Sequence, residues 1–335
     1  MRNQNWGTLC STQAIIARSE LYNSIRHFFK AKKVLEVETP VLSTATGTDP
    51  YIDSFEVFNP QDKDKNNNKY YLQTSPEFAM KRLLCSGIGS IFQICKSFRA
   101  EQIGNYHNLE FTMLEWYRVG FKLEDLMGEM AELLNFLIGS AEPNNNNTII
   151  KITYKNLFLQ YLNFDPHLTG VNFLKNKITE LLPNQFDHLI NQPDFDSRYN
   201  QDDLLMILMS NYIEKKLPKD KFIFIYNFPA SQSALAKIDN SGDYPVAKRF
   251  EVYYNNIELA NGFYELSDHK EQLYRFNQDL SKRRSLNLPM VTKDENLLQA
   301  LEYGLPDCSG VALGLDRLLM LKLGYNNIED VLTFR

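Results

Sequence analysis

The chain has 335 residues, 44% of them hydrophobic, and its 36 basic and 41 acidic residues give a formal net charge of −5. Such a chain buries a large core as one large domain or two ordinary ones, and its acidic balance gives no general attraction to nucleic acid. The four cysteines lie far apart without a C-x-x-C pair, which fits neither a zinc site nor a disulfide framework and indicates a cytoplasmic protein with reduced thiols. No apolar stretch approaches the roughly 20 residues that span a bilayer, so neither secretion nor membrane insertion is expected.

The chain opens with a polar tail over residues 1–12 and an amphipathic helix predicted from Gln13 to Lys33. The segment VLEVETPVLS follows with the alternation of a strand, and Pro40 favours an edge or a bend. Leucine and methionine residues at helical spacing over 123–137 predict a helix that packs on the core.

Residues 150–245 are predicted to form a helical subdomain with one buried strand at FIFIYNF, and they carry little recognisable chemistry. The next stretch, RFEVYYNNIELANGFYEL, is rich in aromatic and β-branched residues and is interrupted by two asparagines. This pattern predicts a β-hairpin whose turn is Asn255-Asn256. Pairing about that turn places Tyr253 opposite Glu258.

Three glutamates fall on the predicted hairpin. Glu251 and Glu258 share one face as diagonal neighbours. Glu265 follows seven residues after Glu258, which places it on the other face of a regular strand, so we predict a bulge at Asn261-Gly262 that resets the register. Three carboxylates on one face repel each other unless they bind cations, here metal ions or a substrate ammonium. A solvated acidic face is the alternative.

A second informative stretch is FRAEQIGNYHNLEFTMLEWY, in a sequence that contains neither a P-loop nor a complete dinucleotide-binding fingerprint. It resembles motif 2 of class II aminoacyl-tRNA synthetases. The resemblance implies that Arg99 binds the α-phosphate of ATP, that the following loop reaches the distal phosphates, and that an aromatic ring stacks on adenine. The loop and ring residues are Glu101, His107, Asn108 and Phe111. A fixed guanidinium suits this chemistry, because the attacking carboxylate and the α-phosphate are both anions.

The C-terminal segment GVALGLDRLLML resembles motif 3 of the same family. This implies a strand ending near Gly314 and a helix after it, with Gly314 in contact with ATP and Arg317 on the γ-phosphate. VETPVLS resembles motif 1, the dimer-forming element, so a homodimer is implied. Together the motifs imply an α+β class II catalytic domain over residues 13–335, with a mostly antiparallel sheet flanked by helices.

Within class II the sequence is most similar to the lysyl-tRNA synthetase branch. By this resemblance Glu251 and Glu258 hold Mg²⁺, and Glu258 and Leu259 contact ATP. The resemblance also implies that Glu77 contacts the α-ammonium and that Glu265 holds the distal ammonium of a lysine-like substrate. The matching residues of the substrate pocket are Ser75, Pro76, Glu77, Glu115, Tyr117, Asn261, Phe263, Glu265 and Ala312.

The first predicted helix begins within about fifteen residues of Met1, which leaves no room for the anticodon-binding domain of lysyl-tRNA synthetases. With the segments FPASQSALA and PDCSGVALGLDR, this resembles the PoxA/GenX family, synthetase paralogues that attach a β-lysyl group to a lysine of elongation factor P. Ser75 and Ala312 stand where lysyl-tRNA synthetases usually have alanine and glycine. Ala100 departs from the asparagine that is frequent in PoxA/GenX, which leaves the role of that position open.

The resemblance implies a reaction with ATP and Mg²⁺ in which lysine or (R)-β-lysine forms an adenylate. A lysine amine of elongation factor P then attacks the adenylate, without stable binding of tRNA. By the same resemblance, Arg99 and Arg317 are expected to be the catalytic residues, and no cysteine or serine is assigned as a nucleophile. Three alternatives remain: a minimal synthetase that charges tRNA, an amino-acid ligase resembling an asparagine-synthetase paralogue, and an inactive sensor.

Overall fold

The structure is a computed structural model that describes residues 6–61, 69–138, 149–190, 192, 195 and 199–335. It divides into two compact units. The first unit is Met1–Asn144 with Ser267–Arg335, and the second unit is Asn145–Leu266. The predicted helical subdomain over residues 150–245 lies within the second unit, which also includes the predicted hairpin.

Both units contain helices and strands. The helices are α1 (Thr12–Ala31), α2 (Glu77–Cys85), α3 (Leu123–Ile138), α4 (Tyr154–Leu162), α5 (Val171–Leu181), α6 (Asp187–Ile190), α7 (Gln201–Leu208), α8 (His269–Ser285), α9 (Glu295–Gly304) and α10 (Leu315–Lys322). The strands are β1 (Leu35–Glu36), β2 (Leu42–Ser43), β3 (Glu56–Phe58), β4 (Lys69–Leu72), β5 (Ile91–Phe98), β6 (Glu110–Val119), β7 (Ile149–Thr153), β8 (Phe222–Pro229), β9 (Ile238–Asp239), β10 (Val246–Tyr254), β11 (Ile257–Tyr264) and β12 (Cys308–Gly314). None of the helices in the described ranges combines the length and apolar character of a membrane span.

The first unit contains a sheet with the strand order β1-β5-β6-β12. Strands β5, β6 and β12 pair antiparallel, and only the short β1 pairs parallel to its neighbour β5. A separate antiparallel sheet has the order β2-β4-β3. The two long strands β5 and β6 carry the motif 2 segment at their shared end.

Helix α1 is stabilised at its start by a cap and along one face by aromatic packing. The Ser11 hydroxyl accepts a hydrogen bond from the Ala14 N–H at 3.1 Å, which satisfies one of the open donors of the first turn. On the buried face, the Phe29 ring stacks on Phe92 at 4.6 Å and meets Trp116 edge-on at 5.3 Å. The helix predicted at this place is confirmed.

The second unit contains the strand order β11-β10-β8-β7, with β9 beside β10. Strands β8, β10 and β11 pair antiparallel, whereas β7 pairs parallel to β8. The predicted strand at FIFIYNF is β8, and the helices predicted around Leu157 and Leu204 are α4 and α7. Their apolar faces join one core cluster, in which the ring of Tyr154 stacks on that of Phe158 at 4.6 Å.

The β10–β11 hairpin has the predicted register at its turn. Tyr253 lies opposite Glu258, and the two turn residues, Asn255 and Asn256, have positive φ angles of 50° and 67°. Two consecutive positive φ angles are those of a type I′ turn, whose twist matches the flanking strands and which asparagine tolerates well.

The bulge in this hairpin lies nearer the turn than predicted. The register shifts between Val252 and Tyr253, which makes Leu259 the extra residue of β11. The predicted bulge at Asn261-Gly262 is wrong, because both residues pair regularly with β10. Leu259 is only 3% exposed, so an extra residue at this position adds an apolar side chain to the core.

Candidate active site

The motif 2 segment forms a closed turn between β5 and β6. The Arg99 N–H donates to the carbonyl of Leu109 at 3.0 Å, and Gly104 and His107 exchange backbone hydrogen bonds at the tip. The Arg99 guanidinium lies over the Phe111 ring, 5.2 Å from its centroid. This cation–π contact restrains the Arg99 side chain against the Phe111 ring.

The motif 3 arginine contacts the motif 2 turn directly. Arg317 follows the last residue of β12 by three positions, and its Nε–H donates to the carbonyl of Tyr106 at 3.1 Å. Its Nη2 lies 2.8 Å from His107 Nε2. Desolvation, followed by the positive charge of Arg317, lowers the pKa of His107. At neutral pH the imidazole is therefore uncharged and accepts a hydrogen bond from Arg317 at Nε2.

The remaining motif 2 positions lie on the same turn with more solvent contact. Glu101 is exposed, and the Asn108 side-chain amide donates to the carbonyl of Glu110 at 2.7 Å. The turn is also anchored from outside its own sequence, because the Asn105 carbonyl accepts a hydrogen bond from Ile328 N–H at 2.8 Å.

A buried ion pair holds motif 3 against motif 2. Asp316, which precedes the motif 3 arginine, is 2% exposed and accepts from the Thr112 N–H of β6 at 2.5 Å. Its other oxygen lies 2.6 Å from Arg18 of α1, whose guanidinium also donates to the Val331 carbonyl at 2.9 Å. Arg18 and Asp316 therefore connect four segments of the first unit, namely α1, β6, the motif 3 helix and the segment at Val331.

The pocket residues of the first unit are packed around a buried carboxylate on β6. Glu115 is 2% exposed and accepts a hydrogen bond from the Tyr117 hydroxyl at 2.6 Å. It lies opposite Ala312 of β12 on one side and Gln93 of β5 on the other. Ala312, which stands where lysyl-tRNA synthetases usually have glycine, thus lies beside Glu115, a predicted substrate-binding residue.

Glu77 is the first residue of α2 and forms an ion pair with a buried lysine one turn later. Lys81 Nζ lies 2.7 Å from Glu77 Oε1, and the Lys81 side chain is only 2% exposed. Pro76 is the N-cap residue, and the hydroxyl of Ser75 accepts from the Glu77 N–H at 3.4 Å. Glu77, which is predicted to bind the α-ammonium of the substrate, is therefore held in place by the positive charge of Lys81 in the same helix.

Glu251 and Glu258 of the second unit lie on one face of the hairpin. Glu251 lies opposite Asn261, and Glu258 lies opposite Tyr253. Because directly opposed residues share a face and Glu251 and Tyr253 are two apart on β10, all four side chains point to the same side. The bulge at Leu259 thus has the effect that the sequence predicts, although its position differs.

Phe263 and Glu265 continue this face by simple alternation from Asn261. Phe263 lies opposite Arg249. Glu265 is 3% exposed and forms an antiparallel bridge with Ala236 just after the end of β11. A carboxylate with so little solvent contact is a strong candidate for a site that binds an ammonium group.

Glu251 is buried among opposite and like charges. Its Oε2 accepts from the Tyr253 hydroxyl at 2.7 Å, and its Oε1 accepts from Arg249. Burial raises the pKa of Glu251, the negative charge of Glu258 raises it further, and Arg249 opposes the rise. Each carboxylate oxygen keeps one further lone-pair direction besides the bond that it already accepts.

The carboxylates of this face fit the binding mode of Mg²⁺. Among the described residues, no group of three or more His, Cys, Asp or Glu side chains is placed to hold an ion. Mg²⁺ is commonly bound by only one or two carboxylates together with substrate phosphates. Glu251 and Glu258 supply two such oxygen donors on one face.

The sequence analysis missed three residues that the structure places around these groups, namely Arg18, Lys81 and Arg249. Lys81 has a local signal, because a lysine four residues after a glutamate on a helix predicts an ion pair. Arg249 has a weaker signal in the sequence, because it is a basic residue two positions before Glu251 and therefore lies on the same face of the strand. Arg18 has none, since its partner Asp316 is far away in the sequence.

Comparison with known proteins adds a family assignment to this geometry. Residues 8–335 match the family model for tRNA synthetases class II (D, K and N). A protein of Vibrio atlanticus (strain LGP32) named "Elongation factor P--(R)-beta-lysine ligase" is 44% identical over 332 residues, which cover 99% of this chain and 98% of that protein. Proteins with the same name from Salmonella typhi and from Buchnera aphidicola subsp. Acyrthosiphon pisum (strain APS) are 44% and 43% identical, over 98% and 100% of this chain and 97% and 98% of theirs.

The chain belongs to the family of elongation factor P–(R)-beta-lysine ligases, within the class II tRNA synthetases. The resemblance found in the sequence and the α+β class II fold are thereby confirmed. As a member of this ligase family, the chain is an enzyme. The roles of the individual site residues stay predictions.

Proposed function

We propose that this ligase activates (R)-β-lysine with ATP and transfers it to a lysine ε-amine of elongation factor P, releasing pyrophosphate and AMP. The names and near-complete coverage of the relatives support this substrate and this acceptor. The contact of Arg317 with His107 is the single structural observation that carries the proposal. It joins the two motifs that handle phosphates, as the activation of an amino acid requires.

In the first step the amino-acid carboxylate attacks the α-phosphorus of ATP, an O–P bond forms, and the bond to pyrophosphate breaks. Arg99 is assigned to the α-phosphate and Arg317 to the γ-phosphate, where their guanidinium groups offset the charge that builds up. The uncharged His107 and the side chain of Asn108 offer neutral hydrogen-bonding groups along the motif 2 turn. Phe111 supplies an aromatic face for adenine, and Gly314 sets the start of the helix that carries Arg317.

Glu251 and Glu258 are assigned to Mg²⁺, which when bound would neutralise phosphate charge and help pyrophosphate to leave. Glu258 and Leu259 are the proposed hairpin contacts of ATP. Glu101 contributes a carboxylate at the exposed edge of the motif 2 turn.

In the second step an uncharged lysine amine of the acceptor attacks the carbonyl carbon of the adenylate. A C–N bond forms, the bond to AMP breaks, and the amine gives up one proton. The step needs no covalent enzyme intermediate, which agrees with the absence of an assigned nucleophile. Burial raises the pKa of the Cys95 thiol to about 12, which makes that thiol a poor nucleophile.

We assign the amino-acid pocket to the buried carboxylates and their neighbours. Glu77 is proposed to bind the ammonium nearer the carboxylate and Glu265 the distal ammonium. By the sequence resemblance, the other proposed contacts of the amino acid are Ser75, Pro76, Glu115, Tyr117, Asn261, Phe263 and Ala312. Because Ala312 lies opposite Glu115, its methyl group narrows the space beside that acid compared with glycine.

The motif 1 segment around Pro40 is proposed to form a homodimer contact, as the sequence resemblance implies.

Lysyl-tRNA synthetases, which activate α-lysine, usually have glycine where this chain has Ala312. Because this difference lies among the proposed substrate contacts, both α-lysine and (R)-β-lysine serve as test substrates.

A transfer assay tests the proposal. Purified ligase with ATP and Mg²⁺ is given labelled (R)-β-lysine or labelled α-lysine, with elongation factor P and bulk tRNA present together as acceptors. We expect label on elongation factor P, a preference for β-lysine, and one AMP per label. Arg317→Ala serves as the inactive control. Label on tRNA would identify a minimal synthetase instead, and neither label nor AMP would identify an inactive sensor.

A further inference from the structure

The guanidinium of Arg249 makes three directed contacts in the second unit. Its Nε donates to Asn261 Oδ1 at 3.1 Å, its Nη1 donates to the Gln232 carbonyl at 3.0 Å, and its Nη2 donates to Glu251 Oε1. Its flat face lies over the Phe228 ring, 4.6 Å from the centroid. One side chain therefore bonds both a proposed metal ligand and a proposed pocket residue.

A β-bulge in β10 sets the direction in which the Arg249 side chain leaves the strand. The register between β10 and β8 shifts between Ala247 and Phe250, so that Lys248 and Arg249 lie opposite the single residue Asn227. Asn227 has a φ of 55° in the middle of a strand, a conformation that non-glycine residues adopt at some cost. Bulges of this kind redirect a side chain, often beside a functional site.

The contact with Arg249 decides which way the Asn261 amide is turned. A guanidinium has five N–H donors and no acceptor, so only the amide oxygen of Asn261 can face it. The Nδ2 of Asn261, with two donors, is then presented away from Arg249. Oriented in this way, Asn261 offers donors to an acceptor oxygen of a ligand.

We infer that Arg249 is a positioning residue of the amino-acid site, which orients Asn261 towards the oxygens of the bound amino acid and holds the carboxylate of Glu251. The inference rests on the proposed function in one respect, namely that the ligand of this face is an amino acid. Arg249 acts through Asn261 and Glu251 and touches no reacting atom.

Lysine is a poor substitute for arginine in this role. An ammonium group is a point charge, whereas the planar guanidinium reaches three acceptors along its edges. Arg249→Lys keeps the positive charge beside Glu251 but cannot also hold Asn261 and the Gln232 carbonyl. If Arg249 only neutralised charge, Arg249→Lys would behave as the unchanged protein.

The test measures binding of unlabelled (R)-β-lysine by calorimetry without ATP or Mg²⁺, for Arg249→Lys and Arg249→Met. Lys248→Met is the matched control, because it removes the same charge from the neighbouring residue, whose partner is Asp239 at 3.4 Å. We expect the dissociation constant to rise about 10- to 100-fold in both Arg249 variants, the loss of one charge-assisted hydrogen bond. The dissociation constant of ATP, measured without Mg²⁺ so that the role of Glu251 does not enter, should stay within about twofold in the Arg249 variants. The dissociation constant of β-lysine for Lys248→Met should also stay within about twofold of that for the unchanged protein.

A double-mutant cycle separates positioning from general damage. In a protein that already carries Asn261→Ala, Arg249→Lys should weaken β-lysine binding by less than about threefold. Unchanged β-lysine binding by Arg249→Lys in the otherwise native protein would overturn the inference. So would an equal penalty with and without Asn261. If Arg249→Met fails to fold, as circular dichroism would show, the conservative variant alone decides.

The same proteins distinguish this failure from a failure of the proposed function. Adenylate formation by the unchanged ligase is measured first, with β-lysine and with α-lysine. If the unchanged protein forms no adenylate with either, the proposed function fails. If it does and Arg249→Lys binds the amino acid equally well, only the role of Arg249 fails.

Discussion

The motif 2 turn of the first unit and the β10–β11 hairpin of the second unit hold their charged residues in different ways. In the turn, Arg317 is bonded to a backbone carbonyl and an uncharged imidazole, and Arg99 lies over an aromatic ring. In the hairpin, Glu251 is buried against an arginine. Neutral partners are released easily when an anionic ligand arrives, whereas buried opposite charges are costly to separate. The turn is thus suited to exchanging ligands and the hairpin to fixed geometry.

The largest effect is expected in the turn, and on activity alone. Arg317→Ala should lower the rate of adenylate formation about 10²- to 10³-fold, because a preorganised cation is lost from the developing negative charge. Since the Tyr106 carbonyl and the His107 imidazole that Arg317 contacts are neutral, the melting temperature should change by no more than about 2 °C. ATP–pyrophosphate exchange and thermal unfolding measure the two quantities.

Arg99→Ala should behave in the same way as Arg317→Ala, and the exposed Arg284→Ala of α8 is the control. A large loss of stability in either motif variant would contradict the contrast between the two regions. Unchanged exchange kinetics would remove that arginine from the site.

The hairpin side of the comparison is tested by Glu265→Gln. The amide keeps the shape of the buried carboxylate but removes the charge that binds an ammonium, so the KM for the amino acid should rise about 100-fold. ATP binding should stay largely intact. The control is Glu180→Gln on α5, whose surface pair with Lys177 is 2.8 Å long. Equal KM values for Glu265→Gln and the unchanged protein would exclude Glu265 from the pocket.

Lys81→Met sharpens the comparison, because it breaks a buried ion pair in the first unit, whereas the buried pair described above, Arg249–Glu251, lies in the hairpin. Glu77 would lose its counter-charge in a place where Lys81 is 2% exposed. We expect a stability loss of about 2 kcal/mol or more and a KM for the amino acid raised about tenfold. Denaturant unfolding and steady-state kinetics measure them. Lys177→Met, which breaks an exposed pair, should cost less than about 0.5 kcal/mol; equal losses in the two variants would speak against a special role for burial.

The smallest effect concerns stability and pH at Asp279 of α8. Burial raises the pKa of Asp279 from 3.8 to about 6, while a hydrogen bond of 2.7 Å from the Thr48 hydroxyl opposes the rise. A raised pKa means that the folded state favours the protonated form, so the stabilisation is fully present below about pH 3.8 and is lost as the pH rises through about 6.

Asp279→Asn keeps an acceptor for the Thr48 hydroxyl, and its side chain does not ionise as the pH rises. Its stability relative to the unchanged protein should therefore improve by about 1 kcal/mol or less between about pH 5 and about pH 7.5, after allowance for partial exposure. Thermal unfolding at both pH values measures this. A difference that is independent of pH would show that Asp279 does not titrate in this range.

The features that the sequence predicted well depend on residues close together in the chain. The register of the hairpin follows from Asn255-Asn256, because a two-residue turn fixes which residues face each other. The bulge was placed wrongly because alternation shows only that one extra residue is needed, whereas burial of Leu259 decides where. Arg18 was missed because its partner lies on the far side of the sequence, and no local pattern encodes such a pair.

The hydrogen bond from Ile328 to the Asn105 carbonyl gives the motif 2 turn a dependence on the order of synthesis. A growing chain completes the strands on both sides of the turn long before position 328 leaves the ribosome. Until then the turn lacks this backbone partner, and a chain that stops short of Ile328 never gains it. A premature stop before this position therefore removes a backbone partner from the turn that carries His107, although the two lie far apart along the chain.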